Sequence, residues 1–170
     1  FYPRFSKDVL VNCLQNFELP LSLRLDQLSM GQKKKVYMSF ALAANTKYLL
    51  MDEPTNGLDI PSKSQFRKVV ASNMSEDRTI IISTHQVHDV EQLLDHVLIV
   101  GTDKILFNAS TADISDTYVF ETRRQGEDTT DVIYSEYGVQ GTQVIAKRGD
   151  KEETPINLEM LFNAVVEGKL

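Results

Sequence analysis

The sequence predicts an α/β fold followed by a smaller α+β appendage, and three observations carry that reading. Two short unbroken apolar runs, residues 48–51 and 79–83, have the composition of strands covered on both faces of a parallel sheet. Between them residues 61–74 read as a helix with Pro61 at its first position, so the three segments make one βαβ unit. Beyond Ser110 the texture changes to polar-rich alternation broken by turn-formers, which marks a different kind of structure.

Each element has its own signal. Over residues 7–17, Leu10, Leu14 and Phe17, with Val11 beside them, follow helical spacing; Ser6 is placed to cap the start and Pro20 closes the segment. The clearest helix spans residues 29–45, where Ser29 and Gln32 have the spacing of a capping box. Its expected core stripe is Val36, Phe40 and Ala43/Ala44, and Asn45 supplies a stop. The strand at 48–51 ends abruptly in Asp52 and Glu53. A third helix is expected at about 87–95, leading into a strand at 96–100 that Gly101-Thr102-Asp103 joins to residues 104–107 as a hairpin. Strands are expected near 117–123, 131–135 and 143–147, with turns around Gly126, Gly138 and Gly141. Asn157 opens a last helix with Leu158, Leu161, Phe162 and Val165 at core spacing up to Gly168. A boundary near 108–116 divides the chain into residues 1–110 and 111–170, with no internal repeat or low-complexity segment.

The chain has 170 residues, 42% hydrophobic and 25% charged, the balance of a globular protein rather than a disordered or collagenous one. That length accommodates one domain with a sizeable core, or a partial domain with an appendage. A net charge of -6 argues against a broad basic face for nucleic acid, whose phosphates are gripped by clustered Lys and Arg, and leaves room only for a local patch. Cys13 is the sole cysteine, so no intramolecular disulfide, CxxC pair or cysteine-based zinc framework can form, and a reducing cytosolic setting fits. No run approaches the ~20 apolar residues that cross a bilayer, and FYPRFSKD lacks the basic and apolar regions of a signal peptide. Any membrane role is expected to come through a partner. The chain lacks an initiator methionine and opens within ordinary folded sequence, so it is expected to be a piece of a longer one.

Three groups of residues carry chemistry. LSMGQ, residues 28–32, opens the strongest helix, and a helix N-terminus offers free N–H groups and the positive end of the macrodipole to an anion such as phosphate. Ser29 adds a hydroxyl and Gly31 permits close backbone approach; a plain capping box is the alternative. Lys33, Lys34 and Lys35 put positive charge near that end, against the dipole, which an anionic partner explains and a solvated basic face explains equally. Asp52 and Glu53 lie at the C-terminal end of a parallel strand, the edge where open α/β sheets bind ligands. A carboxylate there can hold Mg²⁺ and its neighbour can act on water, the alternative being a solvated strand end. His85 follows the next strand and is expected at the same edge, where an imidazole can bond a phosphate oxygen or a water. His88 and His96 are assigned no role.

Together these motifs resemble ABC ATPases. LSMGQKKK is similar to the signature motif of that family, YLLMDEPTNGLD to its Walker B strand with D-loop, and IISTH to its switch histidine, in the family's order and spacing. FYPRF and the helix after it resemble the segment preceding the signature in bacterial ABC exporter subunits, so the resemblance covers residues 1–110. It implies a partial P-loop NTPase parallel sheet with flanking helices, with ATP and Mg²⁺ as ligands. Glu53 is then the general base, Asp52 the outer Mg²⁺ ligand and His85 the γ-phosphate contact. Ser29 and Gly31, with Gln32 beside them, then bind nucleotide held by a second ATPase subunit in a head-to-tail dimer, and Asp59 links the two sites. The implied partners are the membrane-spanning subunits of a transporter, at the cytoplasmic face of the cell membrane.

The sequence departs from the family pattern in two ways. It contains no GxxxxGKS or GxxxxGKT, the loop that cradles β- and γ-phosphates, nor the Gln-containing loop that senses Mg²⁺; a phosphate loop is expected roughly 90 to 120 residues before the signature. Met30 stands where the family usually has glycine. The 170 residues alone are therefore expected to be inactive, whereas the intact subunit is expected to hydrolyse ATP. Rival readings are a soluble, translation-associated ABC ATPase and a non-catalytic interaction module. Chromosome-maintenance ATPases fit less well, since they need coiled-coil heptads near the signature that this chain lacks. Residues 111–170 are expected to be accessory, and the transported substrate is not encoded in these motifs.

Overall fold

A computed structural model describes residues 2–124, 126–139 and 141–170, so Phe1 of the FYPRF segment lies outside the described residues. The chain forms two compact units, Phe1–Leu93 and Leu94–Leu170.

The first unit contains α1 (Lys7–Asn16), α2 (Met30–Ala43), β1 (Tyr48–Asp52), α3 (Ile60–Ala71) and β2 (Thr79–Ser83). Ser6 caps α1 by accepting from Val9 N–H at 3.2 Å. Ser29 and Gln32 form the full capping box on α2, and Asn45 ends that region in the left-handed conformation, φ +50°. Pro61 sits in the first turn of α3, where a missing N–H costs nothing. Strands β1 and β2 pair in parallel from Tyr48↔Thr79 to Asp52↔Ser83, completing the βαβ unit. α1 packs on α2 and α3, and Cys13, Leu14, Phe17, Leu42, Phe66, Val69 and Val70 are buried.

Three expectations for this unit need correction. The buried face of α2 is Met38, Ser39, Leu42 and Ala43 with Ala44 at the cap, so the expected stripe holds at Ala43/Ala44 and fails at Val36, which is half-buried, and at Phe40, the face being shifted toward Met38 and Leu42. Ser39 is tolerated inside because its hydroxyl bonds the Lys35 carbonyl at 2.8 Å. Phe40 is 45% exposed and meets the rings of Tyr2 and Phe5, at 5.8 and 5.3 Å. The second correction concerns the β1–β2 sheet, which is covered on one face only: Met51 is buried, whereas Leu50 is 71% and Ile81 50% exposed. Third, the helix expected at 87–95 is two 3₁₀ turns, Val87–Asp89 and Glu91–Leu93. Lys63 holds the Asp89 carboxylate at 2.8 Å and Arg67 the Asp89 carbonyl at 3.4 Å, while Val90 is buried between the turns, so the segment is fixed from outside.

The second unit opens with a hairpin of β3 (His96–Val100) and β4 (Ile105–Ser110), antiparallel with a bulge at Ile99/Val100. A short helix α4 (Thr111–Thr117) follows, capped by Ser110 and not foreseen, because its seven residues fall where the sequence reads as a boundary. Thr111 N–H donates to the Asp95 carbonyl at 2.9 Å, tying α4 to the base of the hairpin. The compact division falls at Leu93/Leu94, so Asp95, the hairpin and α4 all belong to the second unit. Strands β5 (Tyr118–Arg123), β6 (Val132–Gly138) and β7 (Gly141–Lys147) form an antiparallel sheet in the order β5-β7-β6. Helix α5 (Leu158–Val166) is capped by Asn157, and Leu158, Met160, Leu161, Ala164 and Val165 are its buried residues; Phe162, expected in the core, is exposed. Arg123, only 8% exposed, is bonded by Glu121 and Asp131, and Lys151 reaches the same two carboxylates. Among the described residues no helix is long and apolar enough to cross a membrane.

Candidate functional site

The parallel register of β1 and β2 places Asp52 beside Ser83, and the Ser83 hydroxyl donates to Asp52 Oδ1 at 2.5 Å. One residue on, Glu53 N–H donates to the Ser83 carbonyl at 2.9 Å, and the backbone of Glu53 turns to φ +43°, a left-handed conformation that an L-residue adopts at a cost. The chain pays that cost where the glutamate side chain is gathered in. Glu53 Oε1 accepts from His85 N–H at 3.0 Å and lies 2.7 Å from His85 Nδ1; Oε2 accepts from Thr84 Oγ1 at 3.1 Å. Thr84 Oγ1 in turn accepts from Gln86 N–H at 2.9 Å, so the loop after β2 is organised around this carboxylate.

These bonds set the charge of the site. The His85 imidazole, followed by burial acting in the opposite sense and then by the His85 amide and the Thr84 hydroxyl, holds the Glu53 carboxyl below the usual carboxylate range. At neutral pH it is an anion and an acceptor. A proton on His85 Nδ1 is held by that anion, which leaves Nε2 of an exposed ring directed to other work. Sequence reasoning brings Asp52, Glu53 and His85 to one sheet edge, and the structure does so; it misses Ser83 and Thr84, whose signal is their place in the ISTH run.

At the start of α2, Ser29 Oγ accepts from Gln32 N–H at 3.2 Å and Gln32 Oε1 accepts from Ser29 N–H at 2.9 Å. The cap therefore uses both side chains, and the Ser29 hydroxyl keeps its proton to donate. A methyl group on Gly31 would meet nothing within 4 Å, so this end of the helix is open to an approaching group. Of the three lysines, Lys34 donates to the Glu53 and Asn56 carbonyls and Lys35 to Gln65 Oε1, so two of them are held inside the unit rather than forming a solvated basic face or an anion site. Asp59 caps α3, its Oδ1 accepting from Ser62 N–H at 2.9 Å, and hydrogen bonds from Ser62 hold its carboxyl below the usual range.

Among the described residues no group of three or more His, Cys, Asp or Glu is placed to hold a metal by itself. Mg²⁺ in nucleotide sites needs less, typically one or two protein carboxylates with water and phosphate oxygens completing the shell. Asp52 fits that demand: it is exposed, and Ser83 orients it through one oxygen.

Comparison with known proteins bears on the fold and on the chain's relatives. A family model described as "AAA domain, putative AbiEii toxin, Type IV TA system" matches residues 15–88, from α1 through the loop after His85. YtrB of Bacillus subtilis, an ABC transporter ATP-binding protein, is 23% identical over 99% of this chain and 65% of its own length. The lantibiotic transport ATP-binding protein SrtF of Streptococcus pyogenes is 38% identical over 47% of this chain, 35% of its own length. The chain thus spans 65% or less of these relatives. Among solved structures, an ATP-binding subunit of an ABC transporter superposes with a TM-score of 0.56 at 24% identity, over 64% of this chain and 46% of that one. The crystal structure of a "putative Cobalt transport ATP-binding protein" gives 0.57 at 17% identity, over 98% of this chain and 61% of that one. The fold is that of ABC ATPase domains, and the relatives are an ABC transporter ATP-binding protein and a lantibiotic transport ATP-binding protein.

Proposed function

We propose that this chain supplies the hydrolytic and trans-acting part of an ABC-type ATPase subunit that powers a membrane transporter. The observation that carries the reading is the Glu53 carboxylate, fixed at the sheet edge by His85 and Thr84 with Asp52 one residue away. An anion held in this way can take a proton from water or orient it for attack on a phosphorus centre. With Nδ1–H committed to Glu53, His85 Nε2 donates to a phosphate oxygen when the ring carries its second proton and accepts from a water when it does not. Asp52 would hold Mg²⁺, which when bound supplies charge neutralisation on the phosphate chain. Ser29 and Gly31, on the open end of α2, serve a nucleotide carried by a second ATPase subunit, with Gln32 fixing Ser29 through the capping box. Asp59 holds the start of α3 and, through it, the loop between the two sites.

The phosphate cradle is not in this sequence, so gripping ATP falls to the share of the relatives that the chain does not span. Membrane-spanning subunits at the cytoplasmic face are the expected partners, residues 1–110 being the ATPase part and 111–170 an accessory part. The test is Glu53→Gln in the full-length gene product. ATP binding should persist while hydrolysis falls by roughly 10²–10⁴-fold, the range a general base contributes. Near-native turnover in that variant would refute the assignment of Glu53.

A further inference from the structure

We propose that Lys34 is a positioning residue that ties helix α2 to the turn carrying Glu53, so that a shift at the open end of α2 is felt at the carboxylate. The Lys34 ammonium donates to the Glu53 carbonyl at 2.7 Å and to the Asn56 carbonyl at 2.8 Å. Both acceptors belong to one turn, residues 53–58, which has little to hold it from within. Asn56 N–H reaches the Glu53 carbonyl at a long 3.3 Å, Leu58 N–H reaches Thr55 at 3.1 Å, and Glu53 itself is left-handed. A carbonyl has two lone pairs, so Glu53 O serves Asn56 and Lys34 together. Charge-assisted bonds to two carbonyls three residues apart fix the turn from both ends.

The other end of the link is equally direct. Ser29 and Lys34 are on one continuous helical segment, five residues and about 7.5 Å apart along its axis. A hydrogen-bonded helix moves as a rod over that length, so tilting its N-terminus displaces the ammonium and with it the Glu53 backbone. The sequence gives no hint of this role, since Lys34 reads there as one of three surface cations. The catalytic consequence rests on the ATPase reading above; the structural link does not.

Two variants and two readouts test it. Lys34→Met keeps the stem and removes the donors, and Lys34→Arg restores a donating cation. In the 170-residue chain, Lys34→Met should lose amide-exchange protection at Asn56 and Leu58 while Ile81 and Ile82 in β2 keep theirs, and Lys34→Arg should recover most of it. In the full-length gene product Lys34→Met should lower kcat for ATP by roughly tenfold or more with KM little changed, the mark of a misplaced base rather than lost binding. Lys34→Gln, measured in the same way, takes the place of Lys34→Met if that variant does not fold. Unchanged protection at Asn56 and Leu58 in a folded variant overturns the link. Native kcat in Lys34→Met, where Glu53→Gln stops hydrolysis, overturns its catalytic role. A full-length wild type that never hydrolyses ATP refutes the ATPase reading, and the exchange experiment then judges the link alone.

Discussion

His85→Ala separates what the imidazole does for the charge of Glu53 from what it does for the reaction. Glu53 has three donors: the His85 amide, His85 Nδ1 and the Thr84 hydroxyl. Alanine removes only the second, which is also the chief reason the carboxyl lies below its usual range. The sign follows directly. A depressed group keeps its charged form to lower pH, so removing the cause moves the midpoint up toward the ordinary value of about 4.3. At pH 7 a glutamate of ordinary pKa is still more than about 99% ionised, so lost ionisation cannot slow the variant there. Any loss at neutral pH must come from a carboxylate held by two donors instead of three and from the missing Nε2 contact, and removal of one positioned donor costs on the order of 10²–10³ in kcat. The acid limb of the pH–rate profile should shift upward as well. Phosphate release by the full-length product across pH 4.5 to 8, paired with a carboxyl titration of Glu53 by NMR in the 170-residue chain, reads both effects. An unmoved Glu53 midpoint would refute the hydrogen-bond account of its charge. Turnover at pH 7 within about threefold of the wild type would refute any role for the ring in the reaction.

The 170-residue chain alone should neither bind ATP tightly nor release phosphate, because a helix terminus and a carboxylate do not replace the missing cradle; micromolar binding with turnover sensitive to Glu53→Gln would show that they do. In the second unit, Arg123 and Lys151 hold the Glu121 and Asp131 carboxyls below their usual range, so the stability they contribute is present above the unfolded carboxylate pKa of about 4 and is lost as pH falls through the depressed values. Thermal melts of the chain should therefore lose stability below pH 4, and Arg123→Met should lower the melting temperature at pH 7 and flatten that dependence, since the two acids, which now share Arg123 and Lys151, would be left with the Lys151 ammonium as their one partner among these two cations. A melt insensitive to both changes would show that the cluster contributes nothing to stability.

The sequence by itself determined the elements whose causes are local. Caps at Ser6, Ser29 and Asn157, the stop at Asn45 and the two strands flanking α3 were all readable, because each depends on residues within a turn of one another. The parallel register of the two strands follows from the βαβ pattern, and that register carries Asp52, Glu53 and His85 to one edge. Where causes are distant, reading failed or was silent. The face α2 buries was read correctly at Ala43 and Ala44 and misjudged at Val36 and Phe40, since helical periodicity names apolar positions and only packing against α1 decides which of them is covered. Residues 87–95 have helical composition, yet bonds from Lys63 and Arg67 hold them in 3₁₀ turns. The partners of Glu53 lie 31 and 32 residues along the chain, and Lys34 reaches back to it across 19. Bonds of that span exist only once packing has set the distance between helix and sheet edge, so tertiary structure alone decided that one lysine of three reaches the Glu53 and Asn56 carbonyls and that one carboxylate of a pair is held by three donors.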